Sequence, residues 1–215
     1  MYQTILFDLD GTLTDPGEGI TNSVTYALEK FEIKNEDRSQ LYKFIGPPLK
    51  DSFMEFYGFS EEDALKAIAY YRERFREKGM FENKVYDGIV ELLSKLKHAG
   101  KKLIVATSKP EEFTLTILKH FDLLQYFDFV AGATMDGSRS EKEEIIHYAL
   151  EHCQIENLDE TVMVGDRKFD ILGAKTNGID SIGVLFGYGS LEELEIAGAT
   201  YIADSPEMVE KLVLL

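Results

Sequence analysis

Thr4-Ile5-Leu6-Phe7-Asp8-Leu9-Asp10-Gly11-Thr12-Leu13-Thr14-Asp15 is the stretch that decides how this chain folds. Thr4 to Phe7 is a short apolar, β-rich run, the pattern of a buried strand. Two carboxylates separated by one residue follow where that strand ends, and Gly11 lets the backbone turn away. Open α/β sheets bind ligands in the crevice outside the carboxyl ends of their strands. Asp8 and Asp10 are therefore expected side by side at the mouth of a site. At about 4 Å and an effective dielectric near 20, two such charges repel by roughly 4 kcal/mol. A fold accepts that cost when a cation lies between them or when one carboxyl keeps a proton, and either case brings chemistry. The simpler reading of Asp-x-Asp-Gly alone is a turn at a strand end, so the rest of the chain has to decide.

Working outward, the chain has two textures. From about Gly19 to Lys78 the apolar residues recur at helical spacing, as in Ile20, Val24, Ala27, Leu28 and Phe31. A further helix is expected from Ser60, whose acidic start precedes Leu65, Ile68, Ala69 and Tyr71. Ile45-Gly46-Pro47-Pro48-Leu49 between them reads as a rigid loop, because paired prolines exclude helix and ladder alike. After about Asn83, strand candidates at 102–106, 127–131, 161–164 and 181–185 alternate with helical stretches at 88–98, 111–120, 141–152 and 168–177. Such alternation means a parallel sheet with right-handed crossovers. The expected architecture is α/β: a Rossmann-like doubly wound core from residues 1–15 and 83–215. A helical domain, residues 16–82, is inserted after the first strand. An insert there leaves the carboxyl end of the strand carrying Asp8, so it is expected above the site as a cap that expels water on closing.

Composition narrows the function. The 44% of apolar residues supports a real core, and no apolar run is long enough for a bilayer. The first strand begins at once, without a basic leader or apolar signal core. The single cysteine, Cys153, lies in a helical pattern and reads as a small core residue, which fits a reducing cytoplasm. A net charge of −16 argues against nucleic acid as a partner. It leaves room for a small phosphorylated substrate, since a bound metal and a few cations reverse the sign within a pocket.

Three later constellations stand where phosphate chemistry needs them. Ala106-Thr107-Ser108-Lys109-Pro110 follows an apolar strand and precedes a helix, where hydroxyls and N–H groups make an anion site. A plain N-cap is the simpler alternative. Ser140-Glu141-Lys142-Glu143 has capping-box spacing and puts Lys142 in the first turn of a helix, against the macrodipole. That cost makes sense if Lys142 faces an anion. Asp166 and Asp170, in Val164-Gly165-Asp166-Arg167-Lys168-Phe169-Asp170, are four residues apart at another strand end. On one helix face they would offer hard oxygen ligands to Mg²⁺.

Taken together, these motifs resemble those of the haloacid dehalogenase-like hydrolases over essentially the whole chain. Asp15 to Ser23, Ile45 to Leu49, Asp136-Gly137-Ser138-Arg139 and Gly187-Tyr188-Gly189-Ser190 are similar to the subgroup called phosphoglycolate phosphatase or 5′-nucleotidase. The resemblance implies an Mg²⁺-dependent phosphomonoester hydrolase that works through an aspartyl-phosphate. Asp8 is the implied nucleophile and Asp10 the general acid/base. Gly11, Thr107, Ser108 and Lys142 are the implied phosphate-binding residues. Asp8, the Asp10 carbonyl, Asp166 and Asp170 are the implied metal ligands. Substrate choice is expected from Pro47, Lys50 and Arg139. The expected partner is a small phosphomonoester, with no nucleic acid and no membrane, and the chain is expected as a monomer or homodimer in the cytoplasm. A sugar phosphomutase of the β-phosphoglucomutase type shares the same catalytic set and is the alternative. A receiver domain lacks the large helical insert, and carbon–halogen cleavage leaves Asp10 without a task.

Overall fold

The computed structural model describes residues 1–34 and 37–215. The chain forms two compact units, one from Met1–Thr14 with Val85–Leu215 and the other from Asp15–Lys84. Strand β1 (Thr4–Phe7) opens the first unit, and β2 (Thr14–Asp15) leads out of it. The second unit carries α1 (Gly17–Glu29), a 3-10 segment (Arg38–Phe44), α2 (Leu49–Tyr57) and α3 (Glu61–Arg74), and β3 (Lys84–Val85) leads back. The first unit then continues with α4 (Ile89–His98), β4 (Lys102–Pro110), α5 (Glu111–His120), β5 (Phe129–Ala133) and α6 (Lys142–His152). It closes with β6 (Thr161–Gly165), α7 (Lys168–Thr176), β7 (Asp180–Val184), α8 (Leu191–Ala197), β8 (Tyr201–Ala203) and α9 (Pro206–Leu214).

The sheet of the first unit has six strands in the order β5-β4-β1-β6-β7-β8, and each neighbouring pair is parallel. β1 is central: Phe7 stands opposite Val105 of β4 and Val164 of β6. The residues just after Phe7, Val105 and Val164 therefore emerge together at one edge, and these are the residues of the motifs. Burial holds this register. Ile5, Leu6 and Phe7 are fully buried, as central strands covered on both faces require, and each contributes roughly 1.5–3 kcal/mol. Leu6, Ile104, Ala131 and Met163 pack with Ile145 and Ile146 of α6, which seats the helix that carries Lys142.

Several boundaries differ from the sequence reading. β5 starts at Phe129 instead of 127, with Asp128 joined to β4 both through its N–H, which donates to the Leu103 carbonyl at 2.8 Å, and through its side chain. Its carboxylate accepts from Leu103 N at 2.8 Å and pairs with Lys97. α6 is capped by Glu141 instead of Ser140, with Glu144 reaching back to the Glu141 N–H. Beyond Leu185 the chain adds α8, β8 and α9, which the sequence reading left blank.

In the second unit, Ser60 caps α3 by accepting from Asp63 N at 3.1 Å. The buried face of α3 is Ala64, Ala67, Ile68 and Tyr71, whereas Leu65 and Ala69 are exposed. The stiff Gly46-Pro47-Pro48 turn leads straight into α2, which the sequence reading had not foreseen. Phe44, Phe53 and Phe59 make a ring cluster under it. α3 runs on into a π-helical turn, Phe75–Gly79. Close by, Arg74 grips Glu82 with both guanidinium nitrogens at 2.8 and 2.9 Å.

Candidate active site

The turn after β1 sets the site. Gly11 has φ +80°, a conformation that a side chain resists, and a Cβ on it would collide with the Asp166 carboxylate. Glycine is thus what lets the first motif close on the fourth. Asp8, Asp166 and Asp170 each bring a carboxylate oxygen to within 4.8 Å of the other two. Asp166 ends the β6 connection and is not helical, while Asp170 lies in the first turn of α7. The expected shared helix face is therefore replaced by a cap-like turn, in which the Arg167 N–H donates to Asp170 Oδ2 at 3.0 Å.

Two buried ammonium groups enter the cluster. Lys142 Nζ lies 2.8 Å from Oδ1 of both Asp8 and Asp170, and donates to the Ala106 carbonyl at 3.1 Å. Lys109 Nζ lies 2.6 Å from Asp10 Oδ2. Four buried carboxylates, Asp8, Asp10, Asp166 and Asp170, thus face two buried lysines, leaving a formal deficit equal to one divalent cation.

The orphaned atoms point the same way. Among the described residues, the buried side-chain polar atoms without a hydrogen-bond partner all belong to these motifs: Oδ1 of Asp8, Asp10, Asp166 and Asp170, and Oγ1 of Thr12. Those on Asp8 and Asp170 are met only by the Lys142 charge. Native folds rarely leave such atoms unsatisfied, and hard, anionic oxygens converging on one point are the donor set of a divalent cation such as Mg²⁺.

The electrostatics follow from burial. Desolvation lifts the Asp166 carboxyl well above its usual range, and Asp170 and Asp8 add to the rise. Burial also raises Asp170, to about 6, with Lys142 opposing. Asp10 is raised by burial and held back by Lys109. Lys142 loses some proton affinity to burial but gains more from Asp170 and Asp8, so it stays charged.

Thr107 is buried within β4, which runs on to Pro110 where the sequence had suggested a turn, and its hydroxyl accepts from the Lys109 N–H at 3.3 Å. Ser108 sits in the irregularity of β4 between Thr107 and Pro110. The Gly11 N–H, expected to hold phosphate, donates to the Thr14 carbonyl at 2.8 Å in this structure. Arg139 is engaged elsewhere: its Nε donates to Gly132 O at 3.1 Å, its guanidinium lies 3.7 Å over the Tyr148 ring, and Glu111 is its ion partner. None of those partners is a site residue. Pro47 and Lys50 belong to the second unit, where Lys50 pairs with Glu61 at 2.5 Å.

Two elements of the site escaped the sequence reading. The Tyr188 N–H donates to Asp166 Oδ2 at 2.7 Å from a loop in which Gly187 approaches Gly11 and Asp166 too closely for any side chain. Gly187-Tyr188-Gly189-Ser190 stands out in the sequence as a subgroup motif but without a place at the site. The other is Lys109, whose signal was its place directly after Thr107-Ser108 at a strand end.

The family described as haloacid dehalogenase-like hydrolase matches residues 5–184, and the chain belongs to it. It is a phosphatase of that family, acting on phosphate esters. Over 211 residues it is 48% identical to a 5′-nucleotidase of Pseudomonas aeruginosa, covering 94% of this chain and 92% of that protein. It superposes on the crystal structure of a "predicted phosphatase" from Clostridium acetobutylicum with a TM-score of 0.97 at 56% identity, covering 100% and 99% of the two chains. It is also 38% identical over 209 residues to tyrosine-protein kinase PtkA of Mycobacterium tuberculosis, covering 97% of this chain and 70% of that one. Among the described residues no helix is long and apolar enough to cross a membrane.

Proposed function

We propose that this chain is a Mg²⁺-dependent phosphomonoesterase for a small phosphorylated metabolite, working through an aspartyl-phosphate at Asp8. The observation that carries it is that four buried carboxylates face only two buried ammonium groups, with Oδ1 of Asp10 and of Asp166 lacking any hydrogen-bond partner among the described residues. Asp8 attacks phosphorus, the bond to the ester oxygen breaks, and its electron pair leaves on that oxygen. Asp10 delivers a proton there, giving the free alcohol. Asp10 then takes a proton from water as the water oxygen attacks phosphorus. The bond to Asp8 breaks, releasing inorganic phosphate and restoring the carboxylate. Lys142 and the Thr107 hydroxyl hold phosphoryl oxygens, with Ser108 supplying its backbone N–H. Asp8, Asp166, Asp170 and the Asp10 carbonyl would hold the metal, which when bound neutralises the oxygens gathered around phosphorus.

The similarity to a 5′-nucleotidase makes nucleoside 5′-monophosphates the first substrates to test, with phosphoglycolate second. Discrimination is assigned to the helical unit, residues 16–82, acting as a cap through Pro47 and Lys50. The chain is taken as a monomer or homodimer of the cytoplasm, in keeping with its one cysteine. A panel of nucleoside monophosphates, phosphoglycolate, sugar phosphates and pyrophosphate, each with Mg²⁺ and with EDTA, tests this. The expected result is metal-dependent phosphate release with one class preferred. Release that EDTA leaves unchanged, or isomerised sugar phosphate without release, overturns it. Lys50→Ala should reorder the panel while changing p-nitrophenyl phosphate much less.

A further inference from the structure

We infer that Lys109 is a positioning residue for Asp10, fixing which carboxylate oxygen handles the proton. This rests on Asp10 being the acid/base. The two oxygens of Asp10 have different surroundings. Oδ2 is held by Lys109 Nζ at 2.6 Å, with the two side chains only 5% and 11% exposed. Oδ1 is buried and has no hydrogen-bond partner among the described residues. A carboxylate swings about its χ2 with little resistance, and a proton donor misplaced by about 1 Å loses much of its effect. An ammonium clamped on one oxygen removes that freedom and leaves Oδ1 as the proton carrier. The proton on Oδ1 passes to the departing ester oxygen as the phosphorus–oxygen bond breaks, and Oδ1 recovers one from water in the second step.

The backbone places Lys109 for this purpose. The pairing of β4 with β5 shifts register between Thr107 and Pro110, and the Lys109 N–H is tied to Thr107 Oγ1. Irregularities of this kind re-aim side chains beside active sites. The ion pair joins the ends of β4 and β1, neighbours in the sheet. It therefore couples the strand that carries Thr107 to the loop that carries Asp10.

The test is leaving-group dependence. kcat/KM reports the steps up to aspartyl-phosphate formation, where an alkoxide leaving group needs the proton and p-nitrophenolate does not. Lys109→Met should lower kcat/KM for the best alkyl monoester of the panel at least tenfold more than for p-nitrophenyl phosphate, within the ~10²–10⁴-fold span of general acid catalysis. Lys109→Arg should restore part of the difference. In an Asp10→Asn background, Lys109→Met should cost nothing further with the alkyl ester. Equal losses on both substrates, or the same loss in both backgrounds, overturn the proposal in favour of a phosphate-binding or purely structural lysine. If Lys109→Met does not fold, Lys109→Gln is read in the same way. Asp10→Asn alone separates the two levels. If it loses both substrates equally, the acid assignment itself fails. If it discriminates and Lys109→Met does not, only the positioning role fails.

Discussion

Replacing Asp166 with Asn should stabilise the metal-free protein at neutral pH, and by more than replacing Asp170 with Asn. Asp166 is buried beside Asp8 and Asp170, with oxygens within 4.8 Å. At that distance and an effective dielectric near 20, each ionised neighbour costs roughly 3 kcal/mol. Burial, Asp170 and Asp8 hold the Asp166 carboxyl well above the ordinary 3.8. Between the unfolded value and the raised folded value, the folded chain binds the extra proton. Stability therefore falls as pH rises through that window. Each pH unit of that window costs about 1.4 kcal/mol. Asn still accepts from the Tyr188 N–H and recovers much of this, on the order of 10 °C in melting temperature. Asp170 differs because Lys142 stands 2.8 Å from it. That ammonium opposes the burial that raises Asp170, so Asp170→Asn should gain less than Asp166→Asn at neutral pH. Melting in EDTA at pH 4.5 and 7.5 tests this. The Asp166→Asn gain should be present at 7.5 and nearly absent at 4.5, and excess Mg²⁺ should erase it by stabilising the parent alone. A gain equal at both pH values, or a loss at 7.5, refutes the charge-cluster reasoning.

Asp8→Asn should abolish turnover while leaving the fold intact by circular dichroism; more than about a hundredth of parental activity would remove Asp8 as nucleophile. Lys142→Met strands the buried charges of Asp8 and Asp170, so urea unfolding in EDTA should show a loss of about 3–5 kcal/mol, as for other broken buried pairs. Gly11→Ala meets both the positive φ and the Asp166 carboxylate. Its melting temperature should fall in EDTA, and magnesium affinity by calorimetry should fall with it. Arg139→Ala should cost about 1 kcal/mol in thermal unfolding through lost contacts with Tyr148 and Gly132, with the substrate ranking unchanged.

The sheet and the acidic motifs were legible because burial imposes a pattern on sequence. Thr4–Phe7 and Thr161–Gly165 are continuous apolar runs, and the residues that end them are polar for chemical reasons. Boundaries set by single side chains were not legible. Asp128 bonds the Leu103 N–H just ahead of β5, and Glu141 takes the capping role from Ser140. The juxtaposition of Gly11 with Asp166 depends on contacts between strands far apart in sequence, and so does the Lys109–Asp10 pair. No local spacing encodes either one. Arg139 was attractive as a cation near a motif, but its stack on Tyr148 arises from the packing of α6 against β5.

The central claim is a covalent phosphoryl group on Asp8, and the most direct measurement is chemical trapping. Enzyme quenched during turnover with Mg²⁺ and the best panel substrate is reduced with borohydride, which converts an acyl phosphate to the alcohol. Peptide mass spectrometry then reads the residue at position 8. The account predicts homoserine there in the parent enzyme and none without substrate; with p-nitrophenyl phosphate, whose leaving group needs no proton, it predicts more homoserine in Asp10→Asn, where the water step is impaired. An unmodified Asp8 throughout turnover in both proteins, or the modification at another carboxylate, would contradict it.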